Sequence, residues 1–274
     1  MASGEKGATV AFAALIPIVP GMLTKVAQSR RDFLCRHRGD VLDRILEIGA
    51  FDNPTFRREL GDRVEYLDFF SREELIAMHR DNPRRNLSAA VEVDHVVKTS
   101  DFATKLTPGF DLVVAHHVIE HVPDPIFWFE QIEQILAPGG SVFLSIPDRR
   151  YTFDFFRPVS LATQMMRAHA ERLERPDVWQ LTEAFYYHMK VDLAAIWRAQ
   201  RPRKFVPRFS LAKAREMAET KCAAYADAHC WVFTSPSFLQ CMEDLRSAGP
   251  FPFSVAHWEE PETGSNEFRV LLQR

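Results

Sequence analysis

Residues 115–125 read AHHVIEHVPDP, and within them His117, Glu120 and His121 fall in the spacing H-x-x-E-H. Two imidazoles one helical turn apart can hold a metal ion, and a neighbouring glutamate can act as general base for peptide hydrolysis. That chemistry needs a helix of several turns, so that both rings face one ion. Pro123 and Pro125 follow within four residues, and each disfavours helix at the residue before it. At most one turn fits, so a peptidase is not expected. Three other uses remain. A neutral imidazole, with a pKa of about 6.5, can take the proton of an attacking hydroxyl. The rings can simply anchor a loop. Or Glu120 and His121 can bind a divalent ion through carboxylate and imidazole ligands.

The surrounding residues must place these side chains. DRILEIGA (43–50) is a short apolar run closed by Gly49 and predicts a buried strand. RVEYLDFF (63–70), AVEVDHVV (90–97), FDLVVAHH (110–117) and GSVFLSIPD (140–148) predict four more. PIFWFEQIEQIL (125–136) has apolar residues at helical spacing and stops at Pro138-Gly139-Gly140; its FWF reads as helix-to-sheet packing. After Asp148 the pattern changes to helical periodicity with many arginines over 149–228. SPSFLQCMEDLRSAG (235–249) predicts a capped helix, and 253–260 with 266–274 a terminal antiparallel pair. The expectation is an α/β fold: a Rossmann-like, doubly wound, seven-stranded sheet with a terminal antiparallel strand pair and a helical cap insertion. The chain divides accordingly into a docking segment (1–39), a core (40–148), a helical substrate cap (149–228) and the completion of the core (229–274).

In such sheets ligands bind at the carboxyl ends of the strands, where the strand order reverses. Gly49 ends the first strand and lets backbone approach a ligand closely. Asp68 ends the second and can accept both ribose hydroxyls of an adenosine. A dinucleotide needs G-x-G-x-x-G to admit its pyrophosphate. Here only Gly49 is present, and Asp52 stands where a phosphate would approach. S-adenosyl-L-methionine (SAM) carries no phosphate and a cationic sulfonium, and suits one glycine with nearby acids better.

ILEIGA, YLDFF, FDLVVAHHVIEHVPDP, ILAPGGSVFLSIPD and the closing strand pair together resemble the class I SAM-dependent methyltransferases, across roughly residues 40–148 and 229–274. More narrowly, LEIGA…NP, HVIEH, PDRRYTFD and FTSPSF resemble a bacterial-type group linked to glycan or secondary-product modification. Ala50-Phe51-Asp52 departs from the commoner E-x-G-x-G pattern. The resemblance implies a SAM site at Glu47, Gly49, Ala50, Asn53, Asp68 and the backbone of His116, with an adenine contact from Asp94 or Asp101. It places His117 and His121 beside the transferring methyl, so His117, His121 and His229 are the candidate catalytic residues. Arg150 and Tyr151, at the mouth of the site with Arg149, and Trp231, as a stacking surface, are the candidate acceptor contacts. Some methyltransferases of similar pattern bind a divalent metal through an E-x-x-E-H loop and a distant histidine. His117 replaces the first acid here, so a metal is not the favoured expectation. The implied reaction is O-methylation of a sugar or another hydroxyl-bearing small molecule or glycan. An N-acceptor and a metal-assisted O-transfer are the alternatives; a nicotinamide oxidoreductase and a non-catalytic SAM-binding module are remote ones.

Composition narrows the partners. Lys plus Arg number 34 against 37 Asp plus Glu, which argues against a general nucleic-acid binder. Cys35, Cys222, Cys230 and Cys241 form no CxxC pair, as for free thiols in a reducing, cytoplasmic setting. The apolar stretch 8–23 is broken by Pro17 and Pro20 and is shorter than the roughly 20 residues of a spanning helix. No stable membrane insertion is expected; the stretch is read as docking on the body or on a second copy in a homo-oligomer. The basic run 198–208 is read as a solvated face.

Overall fold

The apolar runs pair into one sheet. Its strands are β1 (Ile45–Ile48), β2 (Val64–Asp68), β3 (His95–Val96), β4 (Phe110–His116), β5 (Leu136–Pro147), β6 (Ser254–Glu259) and β7 (Glu267–Gln273). In the computed structural model, which describes residues 23–38, 42–224, 226–249 and 251–274, their order is β3-β2-β1-β4-β5-β7-β6. The first five run parallel, whereas β7 lies antiparallel to both β5 and β6. The chain therefore winds outward from β1 in one direction and returns through β4 in the other. The crevice of such a sheet opens between those two strands. Most of the apolar stretch 8–23 lies outside the described residues.

Two elements differ from expectation. The third strand pairs only at His95–Val96 instead of over 90–97. Asp94 supplies the reason: its carboxylate accepts the Tyr66 N–H at 2.7 Å, and Val91 donates its own N–H to Phe51 in the loop after β1. The turn expected at Pro138-Gly139-Gly140 is instead a bulge inside β5. Pairing jumps from Phe110–Leu136 to Leu112–Ser141 there. Gly139 has φ +78°, and a Cβ on Gly140 would stand 2.9 Å from the Phe110 carbonyl, so both positions need glycine.

The helices are α1 (Lys25–His37), α2 (Arg72–His79), α3 (Pro125–Ile135), α4 (Ala162–Glu171), α5 (Val178–Tyr187), α6 (Leu193–Trp197), α7 (Leu211–Lys221) and α8 (Ser235–Ala248). Local chemistry starts each of the first three. Thr24 and Asp124 cap α1 and α3 with side-chain oxygens, and Ser71 with Glu74 forms a capping box on α2. Residues 149–224 and 226–228 contain four helices and no strand. HVIEH makes a single 3-10 turn, Ile119–His121, too short for two metal-binding turns of α-helix.

Strand alternation divides the core. Val113, Leu144 and Val270 face one side with Phe129 and Ile132 of α3 and Phe238 of α8. Leu112, Val114, Phe143 and Leu271 face the other, covered by Phe33 and Leu34 of α1. Trp128 and Phe129 are buried between helix and sheet, as the FWF spacing predicts. No helix among the described residues is long and apolar enough to cross a membrane.

Candidate active site

A cleft of about 590 Å³ opens at the carboxyl ends of β1, β2 and β4. Gly49, Asp68 and His117 line it from the strand ends, Phe51, Phe70, Phe102 and Trp128 add apolar surface, and His121 with Asp227 is also part of its lining. Gly49 sits at φ +71°, and a Cβ there would stand 2.9 Å from Val118 Cγ2. The close passage of the two loops thus requires glycine. Asp68 is partly buried; one oxygen accepts the Phe70 N–H at 3.0 Å, and burial raises its pKa above the ordinary carboxylate value.

Glu47 does not line the cleft. It is buried beneath it, where its two oxygens accept the N–H groups of Thr55 (2.6 Å) and Phe56 (3.0 Å), while burial pushes its pKa up to about 7. Its work is to hold the loop after β1. Asn53 does similar work from outside, where its side-chain oxygen accepts the Thr24 hydroxyl of the α1 cap at 2.7 Å. His116 points to the opposite face of the sheet, with Nε2 2.8 Å from the Thr55 hydroxyl. Burial holds its pKa well below that of a free histidine, so the ring is neutral. Ala50 adjoins the cleft without lining it.

His117 has φ +55°, unusual for a residue with a side chain. This turns its ring away from the His116 direction and into the cleft. Nε2 lies 3.0 Å from Glu267, whose carboxylate is also gripped by both Nε (3.0 Å) and Nη2 (2.6 Å) of Arg30. Nδ1 lies 3.6 Å from Glu120. Glu120 is 1% exposed, and neither of its carboxylate oxygens has a hydrogen-bond partner. It is trapped there because its own carbonyl accepts the N–H groups of Cys230 (2.6 Å) and Trp231 (3.1 Å), which sew the turn onto residues 229–231. His121 lies over it, Nε2 at 3.8 Å, with Nδ1 2.8 Å from Asp227 in an ion-pair contact out of hydrogen-bond alignment. Burial works to lower the His121 pKa, but Asp227 and Glu120 outweigh it and raise it. His229 packs edge-on against His121 at 4.8 Å and donates Nδ1–H to the buried Asp154 at 2.6 Å. Glu120, His121 and His229 each offer a ligand atom within 4.8 Å of the others.

The remaining predicted residues are engaged elsewhere. Trp231 is 3% exposed and donates Nε1–H to the Val122 carbonyl at 2.6 Å, so it offers no stacking surface to an acceptor. Arg150 is neutralised by Asp148 and Glu260, each 2.6 Å away. Tyr151 stacks on Trp197 at 4.4 Å. Asp94 is tied to Arg58 and the β2 backbone, outside the cleft. Asp101 is exposed and does not line it, whereas Thr99, Ser100 and Phe102 around it do. Sequence reasoning missed Phe70, Thr99, Ser100, Asp154, Asp227 and Glu267. Only Phe70 carried a signal, its place two residues beyond Asp68.

The chain matches the family described as "Methyltransferase domain" over residues 22–245. It belongs to that family. The chain therefore carries a methyltransferase domain on a sheet of the expected strand order, and the nicotinamide alternative falls away. The methyltransferase is 35% identical over 109 residues to a ubiquinone biosynthesis O-methyltransferase of Xanthomonas oryzae pv. oryzae, covering 39% of this chain and 44% of that one. It is also 35% identical over 65 residues to the Saccharophagus degradans protein of the same name, covering 23% and 28%. The chain thus spans less than half the length of these curated relatives. Similar solved structures include a SAM-dependent methyltransferase from Mesorhizobium loti, with a TM-score of 0.43 and 16% identity over 90% of this chain and 96% of that one. Another is a 1,6-didemethyltoxoflavin-N1-methyltransferase from Burkholderia thailandensis, with a TM-score of 0.45 and 14% identity over 91% and 78%.

Proposed function

We propose that the enzyme methylates a hydroxyl of a small, largely apolar acceptor, with His117 as general base. The observation that carries this reading is the placement of His117, held in a left-handed conformation on the cleft wall with Nε2 fixed by Glu267. SAM, when bound, supplies an electrophilic methyl on a cationic sulfur. The residues present suit it: Asp68 lines the cleft with a carboxylate that can accept ribose hydroxyls, and the Gly49 cradle would be filled by a Cβ. With Nε2–H donated to Glu267, the lone pair of His117 sits on Nδ1. Nδ1 is there to take the hydroxyl proton of an acceptor whose oxygen would receive the methyl that bound SAM would supply. Glu120, 3.6 Å away, then stabilises the imidazolium.

An apolar acceptor is favoured over a sugar because Trp231 and Arg150, the side chains that would grip a glycan, are already occupied, while phenylalanines line the cleft. The names of the relatives support oxygen as the accepting atom. Leu173 and Glu174, from the helical stretch 149–228, reach the cleft, which supports a substrate-cap role for that stretch. The test is a one-methyl mass shift on hydroxylated aromatics against free sugars, each incubated with enzyme and SAM. Methylation of the sugars alone would reverse the acceptor assignment.

A second reading is favoured by the partnerless carboxylate of Glu120. Its donor set with His121 and His229 fits a divalent ion, which would polarise the acceptor oxygen as a Lewis acid. Activity lost on dialysis against a chelator and restored by one divalent ion would favour this reading over simple base catalysis.

A further inference from the structure

We propose that residues 198–208, with the adjoining starts of α5 and α7, form a surface that docks the enzyme on an anionic lipid bilayer. The stretch reads RAQRPRKFVPR and carries Arg198, Arg201, Arg203, Lys204 and Arg208 with no acid. All five cations are exposed, and none is ion-paired with a described residue. Neighbouring arginines behave differently: Arg157 pairs with Glu183, Arg167 with Asp177, and Arg215 with Glu219.

The stretch is held at both ends. Before it, Trp197 stacks on Tyr151 and donates Nε1–H to the Ser265 carbonyl at 2.9 Å. Ser265 lies two residues before β7, whose Glu267 pairs with Pro147 at the carboxyl end of β5. The anchor therefore lies on the end of the sheet where the cleft opens. Later, Phe205 packs on Tyr186 and Tyr187 of α5, each at 5.4 Å. Pro202 and Pro207 favour extended backbone between and beyond these posts.

Apolar side chains accompany the cations. Val206 is 63% exposed, Leu211 at the start of α7 57%, and Trp179 at the start of α5 53%. Arg215 of α7 lies over the Trp179 ring at 5.5 Å, which places the two helices on a common surface. Cations interleaved with aliphatic and indole groups match a headgroup layer over hydrocarbon. A nucleic acid would use the charges but not the exposed aliphatic groups. Docking this face would bring the cleft end of the sheet toward the bilayer, whichever atom is methylated.

The full chain should sediment with vesicles of phosphatidylcholine plus phosphatidylglycerol, less with phosphatidylcholine alone, and less again as salt is raised. Each cation removed should cost about fivefold in partitioning, so Arg201→Gln/Arg203→Gln/Lys204→Gln should cost on the order of 10²-fold. An unchanged thermal shift with S-adenosylhomocysteine would show that this variant is folded. Should it misfold, Arg203→Gln alone should still show its fivefold loss. Equal binding to both vesicle types, or full binding by the folded triple variant, overturns the proposal. So does tighter binding to an RNA oligomer than to the vesicles.

Discussion

At the scale of single residues, the His117 ring has two nitrogens in different surroundings, and that difference is testable. His117→Ala should lower kcat by roughly 10²-fold or more with little change in S-adenosylhomocysteine affinity. Glu267→Gln keeps the size of the side chain but removes the anion that fixes the ring. It should lower kcat on the order of tenfold while leaving KM nearly unchanged, since Glu267 is buried away from the acceptor. A fall in binding with kcat intact would place His117 among the cofactor contacts. Gly49, Asp68 and His117 reach the cleft as their positions at strand ends require, and His121 reaches it from the turn after β4. Trp231, Arg150 and Tyr151 do not, and the reason is competition. Residue type tells what a side chain can bond, but Val122, Glu260 and Trp197 reach these three first, from far along the chain. Glu267 was illegible for the converse reason: nothing in its local sequence shows that β7 would bring it under His117.

Among the elements, α1 holds the loop after β1 from behind. Thr24 reaches Asn53, Arg31 donates to the Thr55 carbonyl at 2.7 Å, and Arg30 enters the core to meet Glu267. Both members of that last pair are under 5% exposed. Arg30→Met would leave Glu267 buried without its main counter-charge, a loss of roughly 3–5 kcal/mol. Arg30→Met with Glu267→Gln removes both charges and should recover a good part of that loss, as read by chemical denaturation. A double variant no better than the single would mean that α1 packing, through Phe33 and Leu34, carries the effect. The loop itself is tested by Gly49→Ala. The positive φ alone costs roughly 1–2 kcal/mol, and the contact with Val118 adds to it. The thermal shift given by S-adenosylhomocysteine should shrink at the same time. Strands β1, β2 and β4 were legible because they are buried, parallel and apolar. β3 was not, because Asp94 satisfies the β2 backbone with its side chain and cuts the ladder to two residues.

For the whole molecule, two buried groups that hold the loop after β1, one from β1 and one from β4, pull stability in opposite directions with pH. His116 has a folded pKa well below its ordinary 6.5, from burial first and Arg30 second. Above 6.5 it is neutral in both states and costs nothing. Below 6.5 the unfolded chain takes up a proton that the folded chain refuses, so stability falls as pH drops. Glu47 is the reverse case. Burial raises it from 4.5 to about 7, so between those values the folded chain holds a proton that the unfolded chain has lost. Its share of stability is therefore lost as pH rises from 4.5 to 7. Each slope is at most about 1.4 kcal/mol per pH unit, and below 6.5 the two oppose each other. Single variants separate them. Relative to Glu47→Gln, the wild type should lose stability steadily from pH 4.5 to 7; relative to His116→Gln, it should gain stability as pH rises toward 6.5. The measurement is the free energy of unfolding of the three proteins across that range. Parallel pH curves for wild type and Glu47→Gln would mean that the Thr55 and Phe56 N–H donors, with Arg30 and Arg31, keep Glu47 ionised throughout, and that the loop under the cleft is built on a carboxylate.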